Sequence, residues 1–318
     1  NWSGPDSTKW TNRALRRLGD APVIYSPSET DRTCQEITKA VQNMGYMGAS
    51  VTSERILSKK RIKLTYRIST GRPYRIKSLS RDIQDDQIAE LLRSDSASLL
   101  SPQMLFDINQ LDAERQRIVN LLRNRGYYKF NKDYISYTAD TVKGSYAADL
   151  TLHLAKYRQR AGDSLTNHRL YTIGTVNFIT DYNVLESSAL SSIEVNDSIH
   201  YRGCPVYYKN KLYLRPKVLT NNLYFHRGDL YREQDLQRTY SSFNRLGALK
   251  YTNIRFFEVQ QRDSSKLNAY VLLTPAKHQS VSFELEGTNS AGDLGAAASV
   301  SFQHRNIFKG SETFMIKL

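Results

Sequence analysis

The sequence is poor in the groups that organise metal sites and disulfide frameworks. Its 318 residues include only two cysteines, Cys34 and Cys204, far apart and without a CxxC partner, so neither zinc nor disulfides can organise the fold. Cys34 lies in line with Ile37 and Val41 at i, i+3, i+7 on one helical face and reads as a buried structural thiol. Tryptophan is scarce, with 2 Trp against 21 Tyr and 11 Phe, which favours half-buried β surfaces over a large dry core. No apolar run approaches about 18 residues, so no membrane-spanning helix is expected. There is no signal peptide and no initiator Met before Asn1, which fits a processed chain from which a targeting segment has been removed. The chain has no GxSxG elbow, HExxH, Walker loop or GxGxxG, and His153, His168, His200, His226, His278 and His304 lack metal-ligand spacing. Neither enzymatic activity, a metal nor a cofactor is expected.

What is present is the composition of a folded chain: 40% hydrophobic and 24% charged residues. Forty-five Lys and Arg against 31 Asp and Glu give a formal charge of +14, which points to an anionic partner. The charge is concentrated. Between Ser50 and Arg81 stand ten cations (Arg55, Lys59, Lys60, Arg61, Lys63, Arg67, Arg72, Arg75, Lys77 and Arg81) against the single acid Glu54. The stretch holds only Tyr66 and Tyr74 as aromatics, and Tyr66 has the parity of a buried face, so no base-stacking platform is evident and nucleic acid is not expected as a partner.

An internal repeat runs through the chain. Three amphipathic helices end at Gly45, Gly126 and Gly247, each read as a left-handed closing residue. Four residues before these glycines stand Val41, Leu122 and Phe243, and eight before stand Ile37, Ile118 and Thr239, on one helical face. Each glycine is followed by a short strand, a polar turn and a period-two run: Ile62, Leu64, Tyr66 and Ile68; Leu150, Leu152 and Leu154; Leu267, Ala269, Val271 and Leu273. Each run is expected to bury one face. Tyr74-x-Ile76-x-x-Leu79 and Tyr171-x-Ile173-x-x-Val176 lead into the second and third helices, and their broken alternation suggests a bulge. Shorter helical segments, Asp6–Leu18 and Asp85–Arg93, complete a β-α-α-β-β unit. The expected organisation is a first unit lacking its leading strand (1–70), a second (71–157) and a third (168–275) with a Tyr-rich insertion at about 181–216.

From residue 276 to 318 the helix signals stop. Val281, Phe283 and Leu285, then Ala296, Ala298, Val300 and Phe302, then Phe314, Ile316 and Leu318 form alternating sets, with turns expected at Thr288–Gly292 and Asn306–Ser311. This is an antiparallel meander of amphipathic strands. Three such strands cannot close a barrel and leave an open edge, so the natural chain is expected to continue past Leu318.

Repeated β-α-α-β-β units running into amphipathic antiparallel strands resemble the BamA and TamA superfamily of outer-membrane assembly proteins, in which tandem POTRA (polypeptide-transport-associated) repeats lead into a transmembrane β-barrel. The resemblance rests on the helix-Gly-Tyr closures at Gly45 and Gly126, on Phe225-x-x-Gly228-Asp229-x-Tyr231, on Asn306-Ile-Phe308-Lys-Gly310, and on Glu284–Gly295, which is similar to first barrel strands of TamA-like proteins of Bacteroidetes. Three repeats suit a TamA type better than a five-repeat BamA. The resemblance implies an α+β fold of tandem POTRA repeats followed by the first strands of a truncated barrel. It also implies an outer-membrane location with this region on the periplasmic side, no cofactor, unfolded outer-membrane protein clients and an accessory periplasmic or inner-membrane subunit. A two-partner-type secretion pore for one dedicated client is the alternative within the superfamily, and a basic binding module for anionic partners is the alternative outside it.

Edge strands of small sheets can pair with extended clients through main-chain hydrogen bonds. The strand after each glycine is the candidate edge: Val51 and Thr52 in the first unit, Ile135 and Ser136 in the second, Ile254 and Arg255 in the third. Lys59, Lys60, Arg61, Lys63, Arg67, Arg75 and Lys77 form the candidate patch for an anionic partner, either an acidic subunit or lipid headgroups. A merely solvated strand face is the plainer reading of the same alternation.

Overall fold

A computed structural model of the chain describes residues 24–58, 61–142, 144–158, 163–183, 194–259, 265–290 and 293–318. The expected helix at Asp6–Leu18 lies outside the described residues. The fold is α+β. Helix α1 (Pro27–Asn43) starts at an N-cap, Ser26, with Pro at its first position, where the missing N–H costs nothing. It leads to the hairpin β1 (Ser50–Ser58) and β2 (Arg61–Ser69). The second repeat follows as β3 (Arg75–Ile83), α2 (Asp86–Arg93), α3 (Ile108–Arg123), β4 (Ile135–Thr141) and β5 (Ala147–Leu154). Its sheet order is β3-β5-β4. Asp85 caps α2 by accepting from the amides of Gln87 and Ile88.

The third repeat begins with β6 (Thr172–Ile179), continues through β7 (Asp197–Tyr201), β8 (Cys204–Tyr208) and the short α4 (Pro216–Asn221), and ends with α5 (Glu233–Asn244), β9 (Leu249–Glu258) and β10 (Lys266–Pro275). The sheet order is β7-β8-β6-β10-β9. The insertion is therefore structural: its hairpin turns through Arg202 and Gly203, both with positive φ, and β8 lies parallel against β6. The expected bulge is present in β6, where Ile173 and Val176 face Leu267 and Ala269, so that two residues oppose Asn268. The last sheet is antiparallel, β11 (Gln279–Ser290), β12 (Asp293–Arg305) and β13 (Thr313–Lys317).

The described chain forms two compact units. One includes the residues up to Asp82 with Ala97–Glu114 and Tyr137–Leu152; the other includes Ile83–Ser96, Arg115–Ser136 and His153–Leu318. In the first, Ile76, Leu100, Leu111 and Leu150 form a core. The second holds the largest core, with Ile173, Val206, Leu219, Phe243, Leu267, Ala269, Val271 and Leu273 among its members.

Four local expectations change. Cys34 is only half buried, because α1 faces a two-stranded hairpin too narrow to cover it. For the same reason the β2 face is incompletely buried, with Ile62 at 38% and Ile68 at 50% exposure. Gly247 is not left-handed: α5 tightens through i to i+3 bonds from the amides of Arg245 and Leu246 to the carbonyls of Ser242 and Phe243, so no left-handed residue is needed. The turn placed at Thr288–Gly292 is shorter, since pairing continues to Ser290↔Asp293.

A repeated stitch joins each of the first two closing glycines to the element that follows. In the first unit the Tyr74 amide donates to the Gly45 carbonyl at 2.8 Å, and the Phe106 amide to the Tyr74 carbonyl at 2.9 Å. In the second unit Tyr171 donates to Gly126 at 2.9 Å and Tyr231 to Tyr171 at 2.9 Å. Gly45 and Gly126 have φ of +96° and +99°, which L side chains rarely adopt.

Candidate functional site

The strands singled out from the sequence all lie at sheet edges. Strand β1 pairs only with β2 among the described residues, β4 closes one side of the second sheet, and β9 closes one side of the third. Thr52 and Ser136 are exposed and Arg255 half-buried, whereas Ile135 and Ile254 point into the cores; Val51 is half-buried. The alternation therefore presents one side chain to solvent and its neighbour to the core, while the outer backbone groups form a pairing edge. On the opposite side of the third sheet the insertion hairpin covers β6 and makes β7 the new edge.

Of the basic candidates, Lys59 and Lys60 lie outside the described residues. Arg61, Lys63, Arg67, Arg75 and Lys77 are exposed. Arg67 pairs with Glu54 at 2.9 Å and Lys77 with Asp149 at 3.5 Å, while the Arg75 guanidinium donates to the Gln103 carbonyl at 2.7 Å. Such exposed pairs contribute little to stability. Their effect is to neutralise Glu54 and to leave Arg61 and Lys63 facing solvent.

The three-stranded sheet β11–β13 is the most unusual surface. Register places Val281 opposite Phe302, Phe283 opposite Val300 and Leu285 opposite Ala298, with Phe302 opposite Ile316. These side chains share one face. Val281 is 70% exposed, Phe283 64%, Leu285 73% and Ile316 46%, a contiguous apolar surface of the kind that marks a binding or membrane contact. The other face carries Ser282, Glu284, Ser299, Ser301 and Lys317, with Glu284 and Lys317 paired at 2.9 Å.

This sheet is fastened to the third repeat by the turn between β12 and β13, a feature only partly visible in the sequence. Asn306, Lys309 and Ser311 all have positive φ. Asn306, 4% exposed, donates to the Tyr213 carbonyl at 2.8 Å and accepts from the Ser311 amide at 3.0 Å. The Arg215 amide donates to the Lys309 carbonyl at 2.8 Å, and the Ala248 amide to Ser311 Oγ at 3.1 Å. Tyr213 OH donates to the Ala276 carbonyl at 2.9 Å. The turn signal Asn-x-x-x-Gly was legible; its partners were not.

The second repeat is locked to the third by groups the sequence did not single out. Arg123 reaches Glu233 at 2.7 Å and Tyr231 OH at 3.1 Å. Burial opposes the charge of Glu233, but bonds from Tyr231 and Gln237 and the nearby Arg123 outweigh it and hold the carboxyl below its ordinary range. Burial also pushes the Tyr231 phenol up. Lys129 meets Glu258 at 2.5 Å. The Asp85 carboxylate, besides capping α2, accepts the His168 amide at 2.9 Å, and the His168 ring sits against Phe130 and Tyr134. Burial pushes the His168 imidazole down. Among the described residues no cluster of His, Cys, Asp and Glu could hold a metal ion.

No protein-family model and no curated protein matches the chain. Similar solved structures include BamA from Haemophilus ducreyi lacking POTRA domains 1-3, at 12% identity and a TM-score of 0.49, covering 77% of this chain and 37% of that one. They also include POTRA3-5 of Haemophilus influenzae BamA, at 15% identity and a TM-score of 0.41, covering 85% and 92%. A third is CdiB from Acinetobacter baumannii, at 10% identity and a TM-score of 0.33, covering 93% and 47%. The chain thus spans about 37% of the length of the first of these.

Proposed function

We propose that the chain is the periplasmic repeat region, with the opening barrel strands, of an outer-membrane protein assembly or transport factor of the Omp85 type. One observation carries this reading: β-α-α-β-β units fastened to a long sheet with one apolar face exposed. Strand β12 has 13 residues, roughly 40 Å at about 3.3 Å per residue, whereas an ordinary strand has about 5–6 residues and a tilted membrane strand about 9–11. With its neighbours in the sheet it alternates an apolar face with a polar one, as a barrel strand between lipid and lumen would.

The edges β1, β4 and β9 would receive unfolded β-rich clients as an added strand and pass them to the barrel. Main-chain pairing suits this task because it gives affinity without demanding one client sequence. The exposed cations of the first unit would receive an anionic partner. Photo-crosslinkers at Thr52, Ser136 and Arg255 in the full-length protein test the client step. Capture of unfolded outer-membrane protein at one or more of these positions supports it, and no capture at any of them overturns it. Carbonate extraction of membranes containing the full-length protein tests the barrel: release into the soluble fraction overturns that part of the reading.

A further inference from the structure

The free end of the β1–β2 hairpin combines features that the client-binding edge does not use. Ile56 is 60% exposed, Leu57 72% and Ile62 38%. Register puts Leu57 opposite Ile62 on one face and Ile56 opposite Lys63 on the other, with Ser58 opposite Arg61. The aliphatic residues therefore project from both faces of the same hairpin end. A flat protein surface docked on one face of a ribbon leaves the other in water. A bilayer surface surrounds an inserted end and takes both.

The charges agree with that occupant. Arg55, Arg61 and Lys63 are exposed around the aliphatic residues, and Glu54, the one acid between Ser50 and Arg81, is held by Arg67 farther along the hairpin. Aliphatic side chains surrounded by cations match the boundary between acyl chains and anionic headgroups. We infer that the end of the β1–β2 hairpin anchors the first unit to an anionic lipid surface, with Ile56, Leu57 and Ile62 at the acyl boundary and Arg55, Arg61 and Lys63 at the phosphates. This stands apart from the barrel and client readings and does not rest on them.

The test uses the full chain with Cys34→Ser and Ile56→Cys, Cys204 being buried, labelled with a polarity-sensitive nitrobenzoxadiazole dye. Phosphatidylcholine vesicles containing phosphatidylglycerol should shift its emission to the blue, and vesicles of phosphatidylcholine alone should not. Adding Arg61→Ala and Lys63→Ala should raise the lipid concentration at half-shift roughly thirtyfold. A folded protein with no shift on anionic vesicles overturns the anchor, as does an equal shift on neutral ones. A shift produced by polyglutamate and not by vesicles also overturns it and assigns the end to an acidic protein. A second chain labelled at Phe283→Cys on β11 reports insertion of the sheet separately, so failure of the anchor and failure of the barrel reading are distinguishable.

Discussion

Gly45 and Gly126 share a left-handed backbone but not the same surroundings. A Cβ at Gly45 would meet the carbonyl oxygen of Phe106 at 2.9 Å and that of Tyr74 at 3.3 Å. Both belong to the stitch that follows the helix and cannot move without breaking it. A Cβ at Gly126 would meet Leu230 Cδ1 at 2.7 Å, the end of a side chain that can turn aside. Left-handed φ costs an L residue about 1–2 kcal/mol by itself, so Gly126→Ala should destabilise by roughly that amount. Gly45→Ala should cost more, about 2–4 kcal/mol, because backbone strain adds to it. Gly247 is outside the left-handed region, and its nearest neighbour, Thr313 Oγ1, would lie at 3.0 Å; Gly247→Ala should stay within about 1 kcal/mol. Urea denaturation of the three variants gives the order directly. An equal loss at all three would mean that the closures are equivalent after all.

Helix α5 shows how one element can be completed by another. Its own N-cap position, Arg232, makes no side-chain capping bond, yet Asn124 Oδ1, 110 residues earlier in the chain, accepts the Gln234 amide at 2.8 Å. The end of α3 thus caps the start of α5, and Arg123 beside it pairs with Glu233 in the first turn, where a carboxylate also favours the helix dipole. Asn124→Ala should lower stability by about 1 kcal/mol, the usual value of a capping side chain. Asn124→Asp should retain most of it. Hydrogen exchange at the Gln234 amide is the local readout: unchanged protection in Asn124→Ala would exclude the cap. The alternation of Leu150, Leu152 and Leu154, the closures at Gly45 and Gly126 and the β6 bulge were legible in the sequence because each is set within one or two turns or a few strand residues. The Asn124 cap, the Asp85–His168 link and the docking of Asn306 on Tyr213 were not, since each joins groups separated by many residues and leaves no local period. The narrow first hairpin explains the incomplete burial of Cys34 and Ile68, because periodicity gives the direction of a face and not whether anything covers it.

At the scale of the whole chain, two exposed surfaces decide its behaviour in water. Exposed cations crowd the hairpin of the first unit, while the second unit ends in a sheet whose apolar side faces outward. Net charge of +14 opposes self-association by long-range repulsion, but that repulsion weakens beyond about 8–10 Å at physiological salt. The apolar face of β11–β13 then dominates. In water without lipid or detergent the chain should self-associate, and more strongly as salt rises. Phe283→Ser with Leu285→Ser should suppress this association, because both residues are among the most exposed on that face, while the repeat cores and thermal unfolding should change little, since neither side chain belongs to them. Sedimentation velocity across a salt series, with circular dichroism as a check on folding, reads both effects. Association that falls with salt, or that persists unchanged in the double variant, would place the sticky surface elsewhere and remove the main physical support for a membrane-facing sheet.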